Sequence, residues 1–291
     1  MKKLLLVIIF ASFTSCTTIT ISEKDVFDVK RTIDAFYIEK AGASVESVRI
    51  VTQDSLELYG WWITKPDAMG TVLYFGGNGF VRVASQHIIE AFLQHPVNLL
   101  VFDYRGYGRN NGEPSVDGLK MDGSAAFNFL VNDKSVPPEQ IVLHGHSMGS
   151  FMAAYLATEE TTAGLVLESP ITTIEDLTDL LVPWFAKPLV KFDIDAELKE
   201  NNNIERIKNY ENPLLLIAGD DDNVTPFSMA EKLYEASTTS QRQLIIVPGG
   251  SHNDLPERQE YDAALKTFYQ TTFNGAAIND ESFDQTSLLE P

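Results

Sequence analysis

The feature that most constrains this chain is a pentapeptide, Gly145-His146-Ser147-Met148-Gly149, set between an apolar run and a run of small residues. Ile141-Val142-Leu143 come before it, and Ser150-Phe151-Met152-Ala153-Ala154-Tyr155-Leu156-Ala157 come after. The first run reads as a buried strand and the second as a closely packed helix. A G-x-S-x-G turn between such elements puts its serine in a strained backbone conformation, with the hydroxyl held above the strand end. The flanking glycines lack Cβ, so strand and helix can approach without collision.

The rest of the chain supplies a sheet for that turn. Val48 to Thr52 and Leu56 to Ile63 read as an antiparallel hairpin with a turn at Asp54-Ser55. Apolar strands and helices then alternate. Strands are expected at Thr71–Phe75, Val97–Phe102, Ile141–Leu143, Gly164–Leu167, Pro213–Ala218 and Gln243–Val247. Helices are expected at Ser85–Leu93, Leu119–Val131, after Ser147, at Ser228–Ala236 and at Arg258–Thr272. Near-continuous apolar strands separated by helices imply a parallel sheet covered on both faces, an α/β architecture. Residues 170–210 stand outside the alternation and read as a small helical, cap-like insertion or a packed surface excursion. An amphipathic helix is expected around Phe27 to Lys40, and an acidic, aperiodic, disordered tail over 274–291.

The amino terminus is a different object. Lys2-Lys3 precede an apolar core, Leu4 to Phe10, that is too short to span a bilayer, and together they read as a secretory signal. Phe13-Thr14-Ser15-Cys16 follow, and Cys16 is the only cysteine. This stretch resembles the lipobox of bacterial lipoproteins, with Phe13 in place of the usual Leu. The resemblance implies a signal peptide over 1–15 and a lipidated Cys16. The mature protein would then begin with an anchor, linker and helix (16–44) before the main domain (45–273). Several acyl chains would hold it on a membrane. Thr17 rather than Asp after the cysteine implies the outer membrane of the cell envelope. The formal net charge of −19 argues against nucleic-acid partners, which need clustered Lys and Arg, and otherwise serves solubility.

A serine hydroxyl needs a base, and the base needs an orienting partner. Of the five histidines, His87 falls in a helix and His95 near a strand start. His144 and His146 flank the turn too closely to present their rings to Ser147. His252 lies in Pro248-Gly249-Gly250-Ser251-His252, after a strand and before the last helix, where a side chain can reach across the sheet. For the carboxylate, Asp220-Asp221-Asp222 follow another buried strand. Mutual repulsion allows only one of them to sit beside a histidine. The developing oxyanion needs fixed N–H donors. One is expected from the backbone of Met148. The other is expected from the loop Gly76-Gly77-Asn78-Gly79-Phe80, through Asn78 or Gly77. That loop lacks the Lys-Ser/Thr ending of a phosphate-binding P-loop. No metal-ligating spacing or nucleotide fingerprint is present, so no metal or cofactor is expected.

Asp103-Tyr104-Arg105-Gly106-Tyr107-Gly108, followed by Gly112, Pro114-Ser115, Gly118-Leu119 and Asp122, resembles an α/β-hydrolase subgroup. That subgroup contains serine-aminopeptidase-like and depalmitoylase-like hydrolases, and the similarity covers about residues 45 to 272. It implies the α/β-hydrolase fold, a mostly parallel eight-stranded sheet with helices on both faces. The chain order Ser, Asp, His is that of the superfamily. Its carboxylate loop commonly reads Gly-x-x-Asp-x-x-x-Pro, which Gly219, Asp222 and Pro226 fit, so Asp222 is expected on His252 with Asp220 as the alternative. Gly76 stands where relatives usually carry His. The Asp103–Gly108 loop is implied as structural support, with no catalytic step for Asp103 or Arg105.

The resulting expectation is a lipid-anchored serine hydrolase that cleaves a carboxylic ester or thioester through Ser147, His252 and Asp222. Its alternatives are an aminopeptidase-like serine peptidase and a non-catalytic envelope binding protein. Trp184 and Phe185 are read either as lining an acyl pocket or as core. Substrate, acyl length and oligomeric state are left open.

Overall fold

Strands buried on both faces must be apolar at successive positions, and in the computed structural model, which describes residues 17–30 and 42–274, such runs form the centre of the molecule. β1 (Thr17–Ile21) and α1 (Glu23–Val26) precede a hairpin of β2 (Ser44–Val51) and β3 (Glu57–Thr64). β4 (Thr71–Phe75), α2 (Gln86–Phe92), β5 (Asn98–Phe102) and α3 (Val116–Asn128) follow, then β6 (Ile141–His146), α4 (Gly149–Glu159) and β7 (Gly164–Glu168). The excursion after β7 holds α5 (Ile174–Asp179), β8 (Val190–Ile194), α6 (Ala196–Lys199) and α7 (Asn203–Lys208). β9 (Leu214–Gly219), α8 (Ser228–Ala236), β10 (Arg242–Val247) and α9 (Gln259–Asn274) complete the described chain.

Eight strands form one sheet in the order β10-β9-β7-β6-β4-β5-β3-β2. The hairpin β2–β3 is antiparallel and joins β5 antiparallel, while the remaining pairs are parallel. The order matches the α/β-hydrolase fold expected from the sequence. Alternation along each strand divides the core in two. Leu73, Phe75, Leu100, Phe102, Leu143, Leu165, Leu167, Leu214 and Leu216 point to one face, against α3, α4, α7 and α8. Val72, Tyr74, Leu99, Val101, Val142, Val166, Leu215 and Ile217 point to the other, against α2 and α9. Tyr74 meets Phe80 and Phe92 edge to face at 5.4 and 5.2 Å, a geometry worth about 1 kcal/mol per pair beyond area burial.

The chain leaves β4 for β5 on one side and returns to β6 on the other. Loops at such a switch point diverge and leave a crevice at the carboxyl ends of the strands. The loop after β4 and the turn after β6 both open there.

Three expectations need correction. The helix expected over Phe27–Lys40 does not begin where the chain is described. Residues 27–30 are non-helical, with the Lys30 carbonyl accepting from the Gly108 N–H at 2.8 Å; residues 31–40 lie outside the described residues. The insertion 170–210 is not purely helical, because β8 pairs in parallel with β1 in a separate two-stranded sheet, Thr17 opposite Val190 and Ile21 opposite Ile194. Trp184 and Phe185 are not core, being 82% and 66% exposed. Of the tail expected over 274–291, Asn274 ends α9 and residues 275–291 lie outside the described residues, as does Cys16.

The tightest packing in the sheet surrounds the pentapeptide. A Cβ on Gly145 would overlap the Gly149 carbonyl, and one on Gly149 would overlap the Phe75 carbonyl. Gly149→Ala is therefore expected to lower the unfolding free energy by about 3 kcal/mol or more, since backbone rather than a flexible side chain would have to move. Urea unfolding of the variant against wild type measures it.

Candidate active site

Ser147 has φ +52, a left-handed conformation that costs a non-glycine residue roughly 1–2 kcal/mol. Its environment over-determines it. The Ser147 N–H donates to the Glu168 carbonyl at the end of β7 at 2.9 Å, and its own carbonyl accepts from the Ser150 N–H at 2.9 Å as α4 begins. The side chain is left pointing out of the sheet edge, where Ser147 Oγ lies 2.9 Å from His252 Nε2.

His252 comes from the loop after β10. Its Nδ1 lies 2.8 Å from Asp222 Oδ2, so Nδ1–H donates to the carboxylate and Nε2 is left to accept from Ser147. Asp222 comes from the loop after β9, which packs on the same loop: the Asp221 N–H donates to the Gly250 carbonyl at 2.9 Å. The other Asp222 oxygen accepts from the N–H groups of Val224 and Thr225 at 2.8 and 2.9 Å. Thr225 Oγ1 sits 2.9 Å from Asp222 Oδ2, 3.1 Å from His252 Nδ1 and 3.0 Å from the Ser169 carbonyl, bracing the pair. Burial works against the Asp222 charge. The hydrogen bond to His252, its charge and the two N–H donors outweigh that, and the carboxyl is lowered to about 2.

The alternative carboxylate is placed elsewhere. Asp220 Oδ1 accepts from the Gly249 N–H at 2.6 Å and so steadies the His252 loop from below. The other histidines are also accounted for. His87 is exposed on α2, and buried His95 faces Asp262 at 3.4 Å. His144 is fully buried and donates from Nε2 to Glu168 at 2.9 Å, beside a second donor to the same oxygen, the Tyr261 hydroxyl.

His146 has a part that sequence reasoning did not assign. Burial pushes its imidazole below the ordinary histidine value, outweighing Glu168, and keeps it neutral. Its Nε2–H donates to the His252 carbonyl at 2.9 Å, tying the Ser147 turn to the loop that carries His252. Its other nitrogen faces the β4 loop: a Cβ on Gly77 would come within 2.8 Å of Nδ1 and 3.3 Å of the Ser147 Cβ. The β4 loop backbone thus lies directly against the serine.

Met148 opens α4, and Asn78 lies one residue beyond Gly77 in that loop. Neither backbone N–H has a protein acceptor among the described residues. The Asn78 side chain is fully engaged. Its Nδ2 donates to the Val26 carbonyl at 2.6 Å, while Oδ1 accepts from the Asp28 N–H at 2.7 Å and the Tyr107 hydroxyl at 3.0 Å. The amino-terminal segment is therefore fastened to the loop next to Ser147. Nothing in the sequence signalled that contact beyond an asparagine in a glycine-rich turn.

The Asp103–Gly108 loop holds buried ion pairs. Asp103 is paired with Arg82, and Arg105 bridges Asp122 at 2.8 Å and Asp54 at 2.9 Å. Tyr107 carries that scaffold to Asn78.

Comparison with known proteins gives a consistent picture. A family model described as "Serine aminopeptidase, S33" matches residues 66–209. An uncharacterized protein of Mycobacterium tuberculosis is 34% identical over 233 residues, covering 78% of this chain and 80% of its own length. The alpha/beta hydrolase domain-containing protein aho-3 of Caenorhabditis elegans is 36% identical over 171 residues, 59% of this chain and 48% of that one. Among solved structures, the Pyrococcus furiosus esterase Pf2001 superposes with a TM-score of 0.67 at 21% identity, covering 84% of this chain and 97% of that one.

The lowered Asp222 value has a consequence for stability. Because the folded carboxyl titrates below its ordinary 3.8, its ionised form stabilises the fold at pH values above that figure, and this contribution is lost as pH falls towards 2. Asp222→Asn is expected to be less stable than wild type by about 2 kcal/mol at neutral pH. That gap should close as acid is added below about pH 4. Guanidinium unfolding of both proteins across the acid range checks the size and the sign.

Proposed function

The chain belongs to the α/β-hydrolase superfamily, and from that premise we propose that it is a serine hydrolase of carboxylic esters or thioesters, with Ser147 as nucleophile, His252 as base and Asp222 as its orienting partner. The observation that carries this reading is the unbroken chain of contacts from Ser147 Oγ to His252 Nε2 and from Nδ1 to Asp222, at 2.9 and 2.8 Å. Both distances fall within hydrogen-bond reach, the geometry a nucleophile and its base require.

In the proposed cycle His252 Nε2 takes the Ser147 proton as Oγ attacks the acyl carbon, and the carbonyl π electrons move onto oxygen. The backbone N–H groups of Met148 and Asn78 hold that oxyanion, and a donor so placed lowers the barrier by roughly 3–4 kcal/mol. Asp222 stabilises the imidazolium without taking its proton. The intermediate collapses as Nε2–H protonates the departing alcohol or thiol, leaving an acyl group on Oγ. Water then enters, gives a proton to Nε2 and attacks the acyl carbon. Collapse returns that proton to Oγ and releases the acid. Esters and thioesters are the preferred donors because they are intrinsically easier to acylate from than amides.

An active-site-directed fluorophosphonate is expected to label wild type and not Ser147→Ala. kcat/KM towards p-nitrophenyl esters should fall by about 10⁴-fold or more in Ser147→Ala and by about 10³–10⁴-fold in Asp222→Asn. Labelling of both proteins would refute the assignment. Turnover of aminoacyl anilides in preference to every ester chain length would make the protein a peptidase.

The reading extends to an envelope lipoprotein anchored at Cys16 in the outer membrane. Lys2-Lys3, the short apolar run Leu4 to Phe10 and the single cysteine support it. Among the described residues no helix is long and apolar enough to cross a membrane. Metabolic labelling with a palmitate analogue in the producing cell is expected to mark wild type and to be lost in Cys16→Ser.

A further inference from the structure

Large hydrophobic side chains scattered singly over a surface are ordinary, but a cluster of them marks a face that meets another phase or molecule. Nine such side chains are exposed among the described residues, and five of them fall between positions 180 and 189. Leu180, Leu181 and Leu189 are about half exposed, while Trp184 and Phe185 stand almost clear of the protein with their rings edge to face at 6.0 Å.

Two further observations say what covers this face. The first is register. β1 pairs with β8 so that Thr17 lies opposite Val190, and neighbouring strands run about 5 Å apart. Thr17, the first described residue, is thus held beside Val190, and Cys16 is its neighbour in the sequence, so an anchor at Cys16 enters the fold at this face. The second is charge. The sequence carries 41 Asp and Glu residues, yet none occurs in 16–22, where the mature chain would begin, and none in 180–192, which Asp179 and Asp193 bound. The second stretch holds Lys191, and Lys187, whose Nζ pairs with Asp179 at 2.8 Å. Strand pairing thus sets the acid-free start of the mature chain beside the acid-free end of that face, the first acid in the paired register being Asp193 opposite Thr20, on a chain of net charge −19.

We propose that the 180–192 face lies on a lipid bilayer, with Trp184 and Phe185 inserted at the boundary between headgroups and acyl chains. The proposal rests on the reading of Cys16 as the membrane anchor and is independent of the catalytic assignment. Aromatic rings favour that boundary. Lys191 at the rim keeps its ammonium group among the headgroup phosphates while its stem covers apolar surface. The strongly negative body disfavours an anionic surface, so the matching membrane is zwitterionic.

Tryptophan fluorescence tests this. Of the three tryptophans, Trp61 and Trp62 are buried and Trp184 is exposed, so any lipid-dependent change reports position 184. The full chain is reconstituted in phosphatidylcholine vesicles with plain or brominated acyl chains. Brominated lipid is expected to cause a loss of wild-type emission, and Trp184→Phe should abolish that loss while retaining the buried emission that certifies the fold. Adding Trp184→Ala and Phe185→Ala to Cys16→Ser should weaken vesicle partitioning on the order of ten-fold relative to Cys16→Ser alone.

Vesicle-bound protein whose emission ignores the bromines would overturn the proposal, as would failure to associate with vesicles. So would a blue shift that needs no lipid and grows with protein concentration, which would assign the face to a second copy of this chain. Fluorophosphonate labelling of the same samples reads the catalytic assignment separately.

Discussion

Everything at the site depends on how closely α4 approaches the end of β6. Gly145 and Gly149 leave no room for a Cβ between helix, strand and the Phe75 carbonyl, and the turn that joins them is forced to put Ser147 at φ +52. A single left-handed serine is costly alone, and here it is held by the Glu168 carbonyl on one side and the first turn of α4 on the other. The hydroxyl's position is set by backbone packing, so it is in place before any substrate arrives.

Polar groups buried beneath the turn fix its partners. Glu168 is almost fully enclosed and accepts from both His144 and Tyr261, which joins β6, β7 and α9 under the serine. A carboxylate in such a place is tolerated only because its lone pairs are occupied. His146 performs the lateral task. As a neutral donor to the His252 carbonyl, it holds the His252 loop level with Ser147. The two histidines that precede Ser147 are therefore structural, one downward and one sideways.

Most of the sheet was legible in the sequence because parallel strands covered on both faces read as unbroken apolar runs, and β4 and α8 were located to the residue. Boundaries moved where capping outweighed propensity: α3 starts at Val116 rather than Leu119 because Ser115 Oγ accepts from the Gly118 N–H at 3.0 Å. The pairing of β1 with β8 was not legible. Thr17–Ile21 is short and half polar, and its partner lies far along the chain, so no local pattern announces either strand. At the site, Ser147 and His252 were readable from their loops. The choice of Asp222 over Asp220 needed family spacing, and only geometry displays the Thr225 brace.

Asn78 gives the amino-terminal segment a standing that a simple leash would lack. The same residue that lies in the loop against Ser147 grips the Val26 carbonyl and the Asp28 N–H with its side-chain amide. β1, a few residues upstream, is zipped to β8. A pull or a twist entering at residue 17 is consequently shared between the excursion and the β4 loop before it reaches the sheet. Residues 17–30 and the main domain form one mechanical unit, and a different tether spliced on at residue 30 would sever that linkage even if it kept the length.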